Sequence, residues 1–366
     1  MIYHQRDIIE TMDVKKELAD FKKKIDKEIE DYFDATIKEV AKIDLITTDS
    51  LRYVKKIILA GGKRLRPAFM FYGYLAAGGK EKEKILKTAV SIELIHMFLL
   101  IHDDIIDRDG KRHGMETVNL HYEKIGKKLF PKNSVDHFGN SMAIIIGDMV
   151  GALGNQIIFN SSFDSKIILK ALYKLQNIVS LTVVGQTKDI YIEYRQKASE
   201  EEILKMYEYK TARYTVEGPL HLGAILGGTD ENFLKNLSLF AVPIGIAFQI
   251  QDDILGIFGS EKKIGKEVGS DIKGGKETLL VKKAKEKGTP AQKKILEALL
   301  RSKNIKSADI EKFRSIILET GALEYAQKLS RDLIAQGKDS LEKMEFNSEA
   351  KEFLLGLADY MAEREF

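Results

Sequence analysis

Two stretches constrain this chain more than any others. Leu99-Leu100-Ile101-His102-Asp103-Asp104-Ile105-Ile106-Asp107 runs from apolar residues into three carboxylates, and Ala247-Phe248-Gln249-Ile250-Gln251-Asp252-Asp253-Ile254-Leu255 runs into two. On a helix, residues four apart share a face, so Asp103 and Asp107 stack with Asp104 beside them. Like charges at that spacing repel unless something neutralises them. A hard divalent cation does so, and Mg²⁺ typically takes one or two carboxylates together with waters and the phosphate oxygens of a substrate. A solvated acidic helix end is the alternative for either stretch alone. Two of them in one chain point to two walls of one metal and phosphate site.

The rest of the sequence supplies helices to carry those walls. Val14, Leu18, Phe21, Ile25, Ile29 and Tyr32 fall at helical spacing among lysines and glutamates, which predicts a long amphipathic helix with a solvated charged face. Five prolines in 366 residues leave room for long helices, and alternating strand patterns bounded by turns are hard to find. The expected class is all-α. Helices are expected over 81–106, carrying Glu93 and His96, over 138–159, from about 167 through Gly185–Asp189, and over 233–256. Residues 278–366 alternate helical patterns with polar breaks, show no motif and read as packing. No linker or repeat divides the chain, so 1–366 is expected to be one domain, with its motifs within about 50–290 and packing helices over 291–366.

Composition excludes several classes. The 58 basic and 55 acidic residues nearly cancel to +3, which gives no nucleic-acid signal. Without cysteine there is no disulfide, thiolate or cysteine–zinc chemistry, and a reducing cytoplasm fits. The charged N-terminus lacks the apolar core of a signal peptide. No uninterrupted apolar run reaches the roughly 18 residues of a spanning helix. A soluble, cytoplasmic protein without stable membrane insertion is expected.

Cationic elements flank the acidic ones. In Gly61-Gly62-Lys63-Arg64-Leu65-Arg66-Pro67 the glycines break one helix and Pro67 suits the first turn of the next, leaving basic groups beside a helix N-terminus. A plain basic turn is the alternative. His96 stands seven residues before Asp103 on nearly the same face, where it is either a core histidine or part of the site. Arg112 and His113 follow the first cluster, Lys210-Thr211 lies mid-chain, and the glycine- and lysine-rich stretch Gly265–Lys276 follows the second. Glycines there permit close backbone approach, lysines meet phosphate as point charges, and a lid is expected at such a place. The sum is a site for two anionic groups between apolar walls. Ionising an allylic diphosphate fits, because metal ions and fixed cations stabilise the departing charge and no side-chain nucleophile is needed.

This set resembles the trans-isoprenyl diphosphate synthases, or polyprenyl synthetases, which include the farnesyl and geranylgeranyl diphosphate synthases. The resemblance covers about 50–290 with the motifs in family order. It implies a single large helical bundle around a deep central cavity, working as a homodimer. It also implies three Mg²⁺ ions bridging the Asp-rich motifs and an allylic diphosphate, which isopentenyl diphosphate attacks. The released pyrophosphate is then thought to take the proton. By motif, Asp103, Asp104 and Asp107 match the first metal cluster, and Asp252 and Asp253 the second. Lys63, Arg66 and His96 match the isopentenyl diphosphate contacts; Arg112, Lys210, Thr211, Lys266 and Lys276 match allylic-side contacts. Gln186 and Asp189 match the GQxxD helix, and Phe248 with Gln249 the FQ pair.

Departures are visible. Gly256 stands where many members carry a third aspartate, His113 where a second arginine is usual, and the loop before Lys276 is a residue longer than in the farnesyl enzymes. Product length rests on bulky residues before Asp103. Phe98 lies five residues, roughly 7 Å, up the helix at about 1.5 Å per residue. An aromatic there resembles the archaeal-type geranylgeranyl enzymes, although a helical wheel puts Leu99 nearer the aspartate face and ordinary core packing would also place Phe98. Geranylgeranyl diphosphate is the expected product, farnesyl diphosphate the alternative. A non-catalytic subunit of a heteromeric synthase, a terpene cyclase and an acidic interaction protein are the competing classes. Retention of the aspartates and the GGKRLRP turn argues against the first, GGKRLRP with the GQxxD and FQ elements against the second, and burial of Asp103 and Asp252 around one cavity would disprove the third.

Overall fold

The computed structural model describes residues 12–259, 269–300, 302 and 305–362, so Lys266 lies outside the described residues. The chain runs α1 Val14–Val40, α2 Leu45–Ala60, α3 Leu65–Ala76, α4 Lys82–Asp107, α5 Val118–Leu129, α6 Val135–Phe159, α7 Ser165–Arg195 and α8 Glu200–Tyr207. A π-helical segment, Glu208–Glu217, leads into α9 Gly218–Leu226 and α10 Glu231–Phe258. Further helices cover Leu279–Lys287, Pro290–Leu300, Ser307–Glu319, Ala322–Glu342 and Ser348–Ala362. The all-α expectation holds. Its one departure among the described residues is a two-stranded hairpin, β1 Lys111–Arg112 paired antiparallel with β2 Met115–Glu116.

Local chemistry starts these helices where the sequence offers caps. Asp13, Asp44 and Asp230 accept from backbone N–H groups in the first turns of α1, α2 and α10, at 3.1, 2.6 and 2.8 Å. The α1 stripe buries Leu18, Phe21, Ile25 and Ile29 as its period requires, but continues through Phe33 rather than Tyr32. Tyr32 is half-buried and reaches α6, donating to the Leu153 carbonyl at 3.3 Å.

Two clusters of buried side chains hold the bundle. The larger joins α1–α7, α9 and most of α10 with the Ser348–Ala362 helix. The second joins the ends of α7 and α10 to α8 and the helices between Leu279 and Ala326. By length and composition α4, α6, α7 and α10 are each long and apolar enough to cross a membrane. Each is interrupted by polar or charged residues, so no uninterrupted apolar run of that length is present in the sequence. In the fold 61% of the α4 window is buried against neighbouring helices.

The π segment is the centrepiece of the site. A Cβ on Gly185 of α7 would lie 2.2 Å from the Lys210 nitrogen, and one on Gly245 of α10 would lie 2.4 Å from the Ala212 Cα. The two glycines let both helices close on the segment that carries Lys210 and Thr211.

Candidate active site

The end of α4 brings the first acidic cluster against α7, the π segment and the loop after α10. Asp103 Oδ1 accepts from Gln186 Nε2 at 3.0 Å and lies 4.0 Å from Lys210 Nζ. Lys210 also pairs with Asp189. Burial works against the Lys210 charge, but Asp189 and Asp103 outweigh it and raise its pKa, so the ammonium is held protonated. Asp107 Oδ2 accepts from Lys276 Nζ at 2.8 Å. The later lysine of the loop therefore reaches the first cluster.

Asp104 is placed differently from its neighbours. It is fully buried and its Oδ1 takes both Nε, at 2.9 Å, and Nη2 of Arg112. Arg112 bonds Asp109 Oδ2 as well, at 3.2 Å. The short hairpin that carries Arg112 and His113 is thus tied to the end of α4. His113, at φ 52°, donates from its ring to the Ile57 carbonyl at 3.1 Å, and its ring fills the space a Cβ on Gly61 would occupy.

The second cluster is held from beneath. Asp253 is buried; Gln249 Nε2 donates to its Oδ1 at 2.8 Å and the Tyr207 hydroxyl donates to its Oδ2. Thr211 donates to Gln249 Oε1, which links the π segment to α10. Burial and the Asp253 charge push the Tyr207 phenol well above its ordinary range, so it stays a donor. Asp252 is half-buried beside it, and Phe248 is buried. Tyr207 was not singled out in the sequence; its only signal is its place three residues before Lys210.

Across the cleft, Arg66 lies 4.4 Å from the ring centroid of Tyr214 and donates to Thr215 Oγ1 at 2.8 Å. The Tyr214 hydroxyl bonds His96 Nδ1. Burial, followed by the Arg66 charge, drives the His96 pKa well below its usual value, so the imidazole is neutral. A Tyr214 hydroxyl that donates to Nδ1 would leave the ring proton on Nε2, as a donor for an anion. Tyr214 closes the polar stretch 210–214, one helical turn after Lys210, but the sequence alone gives it no role. Lys63 is exposed and lies 5.0 Å from the Tyr360 ring centroid; its contact is with the C-terminal helix and not with the Arg66, Tyr214 and His96 trio.

Phe98 packs toward α6, where a Cβ on Gly151 would come within 3.1 Å of its ring, and the edge of His102 closes its other side at 5.0 Å. Leu99 is half-buried against the core. A groove of about 1200 Å³ opens at the opposite end of α4, between α1 and α6, with Tyr32, Val40, Val90 and Leu153 in its walls. None of the candidate residues lines it.

Residues 49–317 match the family model of the polyprenyl synthetases. The chain belongs to the polyprenyl synthetase family. It is a prenyltransferase of that family. It is 32% identical over 331 residues to a geranylgeranyl diphosphate synthase of Saccharolobus solfataricus, covering 90% of this chain and 93% of that protein. It is 32% identical over 314 residues to a geranylfarnesyl diphosphate synthase of Aeropyrum pernix, covering 84% and 92%. Its fold matches a geranylgeranyl pyrophosphate synthase of Corynebacterium glutamicum, solved with isoprenyl diphosphate and magnesium, at a TM-score of 0.89 and 31% identity, over 94% of this polyprenyl synthetase and 99% of that one.

Among the described residues no three acidic or histidine side chains converge closely enough to hold a metal alone. The donor set nevertheless fits Mg²⁺. Its oxygen ligands come from carboxylates, and Mg²⁺ completes its shell with water and substrate phosphates.

Proposed function

We propose that this polyprenyl synthetase condenses isopentenyl diphosphate with dimethylallyl, geranyl or farnesyl diphosphate and releases geranylgeranyl diphosphate. The observation that carries this is the division of the cleft into two anion sites. One gathers Asp103, Asp107, Lys210 and Lys276; the other gathers Arg66, His96 and Tyr214.

In the first site Asp103 and Asp107, with Asp252 and Asp253 of the second cluster, would hold Mg²⁺ beside the allylic diphosphate; three ions are the expected number. Bound Mg²⁺ supplies Lewis-acid stabilisation of the leaving diphosphate. Lys210, fixed by Asp189, presents a positive charge that needs no reorganisation as the bond to the diphosphate lengthens. Arg112, Thr211 and Lys276 complete that side, to which the family motif also assigns Lys266. Asp104 acts by holding Arg112, which the acceptance of both Nε and Nη2 by its Oδ1 supports. In the second site Arg66 is fixed by Thr215 and by the Tyr214 face, and neutral His96 offers Nε2–H to isopentenyl diphosphate. His113 flanks it, and Lys63 is carried on the turn that precedes Arg66. Apolar side chains of α4 and α6 exclude water from the carbon that ionises, with Phe98 and Leu99 as the floor under the growing chain.

A second copy of this chain is the proposed partner. Ile144, Ile145 and Phe159 on α6 and Leu169 and Tyr173 on α7 are exposed, an apolar face on the helices next to the floor. The chain is proposed to act as one domain in the cytoplasm, without stable membrane insertion and without nucleic acid.

Product analysis tests the function. Purified protein with isopentenyl diphosphate and each primer, with Mg²⁺ or EDTA, is read by mass. Mg²⁺-dependent elongation ending at the C20 diphosphate is expected. Absence of elongation with every primer overturns the proposal.

A further inference from the structure

The turn between α2 and α3 and the first turn of α3 carry three cations, and the fold turns one of them inward. Arg64 is 2% exposed. Its guanidinium donates to three different helices: Nε to Asp26 Oδ1 of α1 at 2.6 Å, Nη1 to Glu93 Oε1 of α4 at 2.7 Å, and Nη2 to the Ile58 carbonyl of α2 at 2.6 Å. The backbone is shaped around this group. Arg64 itself has φ 57°, and Gly62, at φ 92°, leaves the space where a Cβ would lie 2.6 Å from Arg64 Nη1. Left-handed backbone at a non-glycine residue is costly and persists only where surrounding contacts impose it.

The consequence reaches the second anion site. Glu93 stands three residues before His96 on α4, on the same side of the helix. Arg66, two residues after Arg64, begins at the stem of α3 that the guanidinium fixes. With Asp26 and Glu93 neutralising it, Arg64 has no charge to spare for a diphosphate. Its fork instead ties the turn that bears Lys63 and Arg66 to the helix that bears His96. We propose that Arg64 is a positioning residue for the isopentenyl diphosphate site, setting the distance between Arg66 and His96 without touching the substrate. This rests on the reading of Arg66 and His96 as that site.

A lysine cannot replace the fork, because one ammonium cannot make three bonds in the guanidinium plane. The full-length variants Arg64→Lys and Glu93→Gln are compared with Arg66→Ala and wild type. KM for isopentenyl diphosphate and for the allylic diphosphate is measured separately, with the thermal midpoint alongside. Arg64→Lys is expected to raise KM for isopentenyl diphosphate about tenfold and to leave the allylic KM within about twofold. Glu93→Gln, which keeps the shape of its side chain, is expected to move the same constant in the same direction by less, and carries the test if Arg64→Lys does not fold. A lowered midpoint with both KM values unchanged, or with both raised equally, overturns the positioning role while Arg66→Ala still raises KM for isopentenyl diphosphate. If Arg66→Ala leaves that KM unchanged, the site reading itself falls and the proposal with it.

Discussion

Lys276 Nζ lies 2.8 Å from Asp107 Oδ2, so a lysine from beyond the second acidic cluster neutralises the last carboxylate of the first. The contact spans the loop whose length departs from the farnesyl enzymes, and it joins the two walls of the cleft. Lys276→Met removes a cation from the allylic side only. KM for the allylic diphosphate is expected to rise about tenfold, or about 1.4 kcal/mol, with KM for isopentenyl diphosphate unchanged. The Mg²⁺ concentration for half-maximal rate should not rise, because a cation beside a metal ligand opposes the metal. Steady-state kinetics at varied Mg²⁺ checks both; a rise in the isopentenyl KM alone would put Lys276 on the wrong side.

Tyr207 binds Asp253 and accepts the Leu279 N–H at 2.9 Å. Tyr207→Phe leaves the Leu279 donor without its partner in a buried place and costs about 1–3 kcal/mol of stability. It also releases Asp253, so half-saturation by Mg²⁺ should shift upward as kcat falls. Chemical denaturation and a Mg²⁺ titration of the rate separate the two effects. A stable variant with unaltered Mg²⁺ dependence would show that Tyr207 does not orient Asp253.

Chain length should answer to the seat of Phe98. Phe98→Ala removes the floor and is expected to yield products beyond C20, read by mass. Gly151→Ala puts a methyl group about where the structure allows only 3.1 Å to the ring. It should press Phe98 into the cleft and shift the products toward C15. Unchanged products from both variants would assign the floor to Leu99 or to a residue deeper in the bundle.

Acid should destabilise this protein earlier than its carboxylates require. Burial holds His96 well below the usual 6.5, and holds His221 down at about 4 despite the opposing Glu217 charge. Such histidines are neutral when folded and bind protons when unfolded. Below 6.5 the unfolded chain therefore takes up more protons, and stability falls as pH falls. Above that value the contribution is complete. Calorimetry is expected to show the thermal midpoint dropping between about pH 6.5 and pH 5, before most carboxylates titrate. Replacing His221 with Asn should flatten that part of the curve; an unchanged slope would remove His221 from the account.

The periodicity of the apolar residues determined the helices, the all-α class and the placing of the two acidic stretches at helix ends, because one helix face repeats along a single stretch of sequence. The glycine turn was legible for the same local reason. What a side chain meets across the bundle was not. Asp103, Asp104 and Asp107 are interchangeable in the sequence, yet they meet Gln186, Arg112 and Lys276. Arg64 looks like a third phosphate ligand until Asp26 and Glu93 are found around it. Tyr207 and Tyr214 gain their roles only where they meet Asp253 of α10 and His96 of α4. Apart from Asp104 and Arg112, eight positions apart, these contacts join residues tens to more than a hundred positions apart. Helical periodicity sets which face each residue occupies, and only the packing of several helices decides which faces meet.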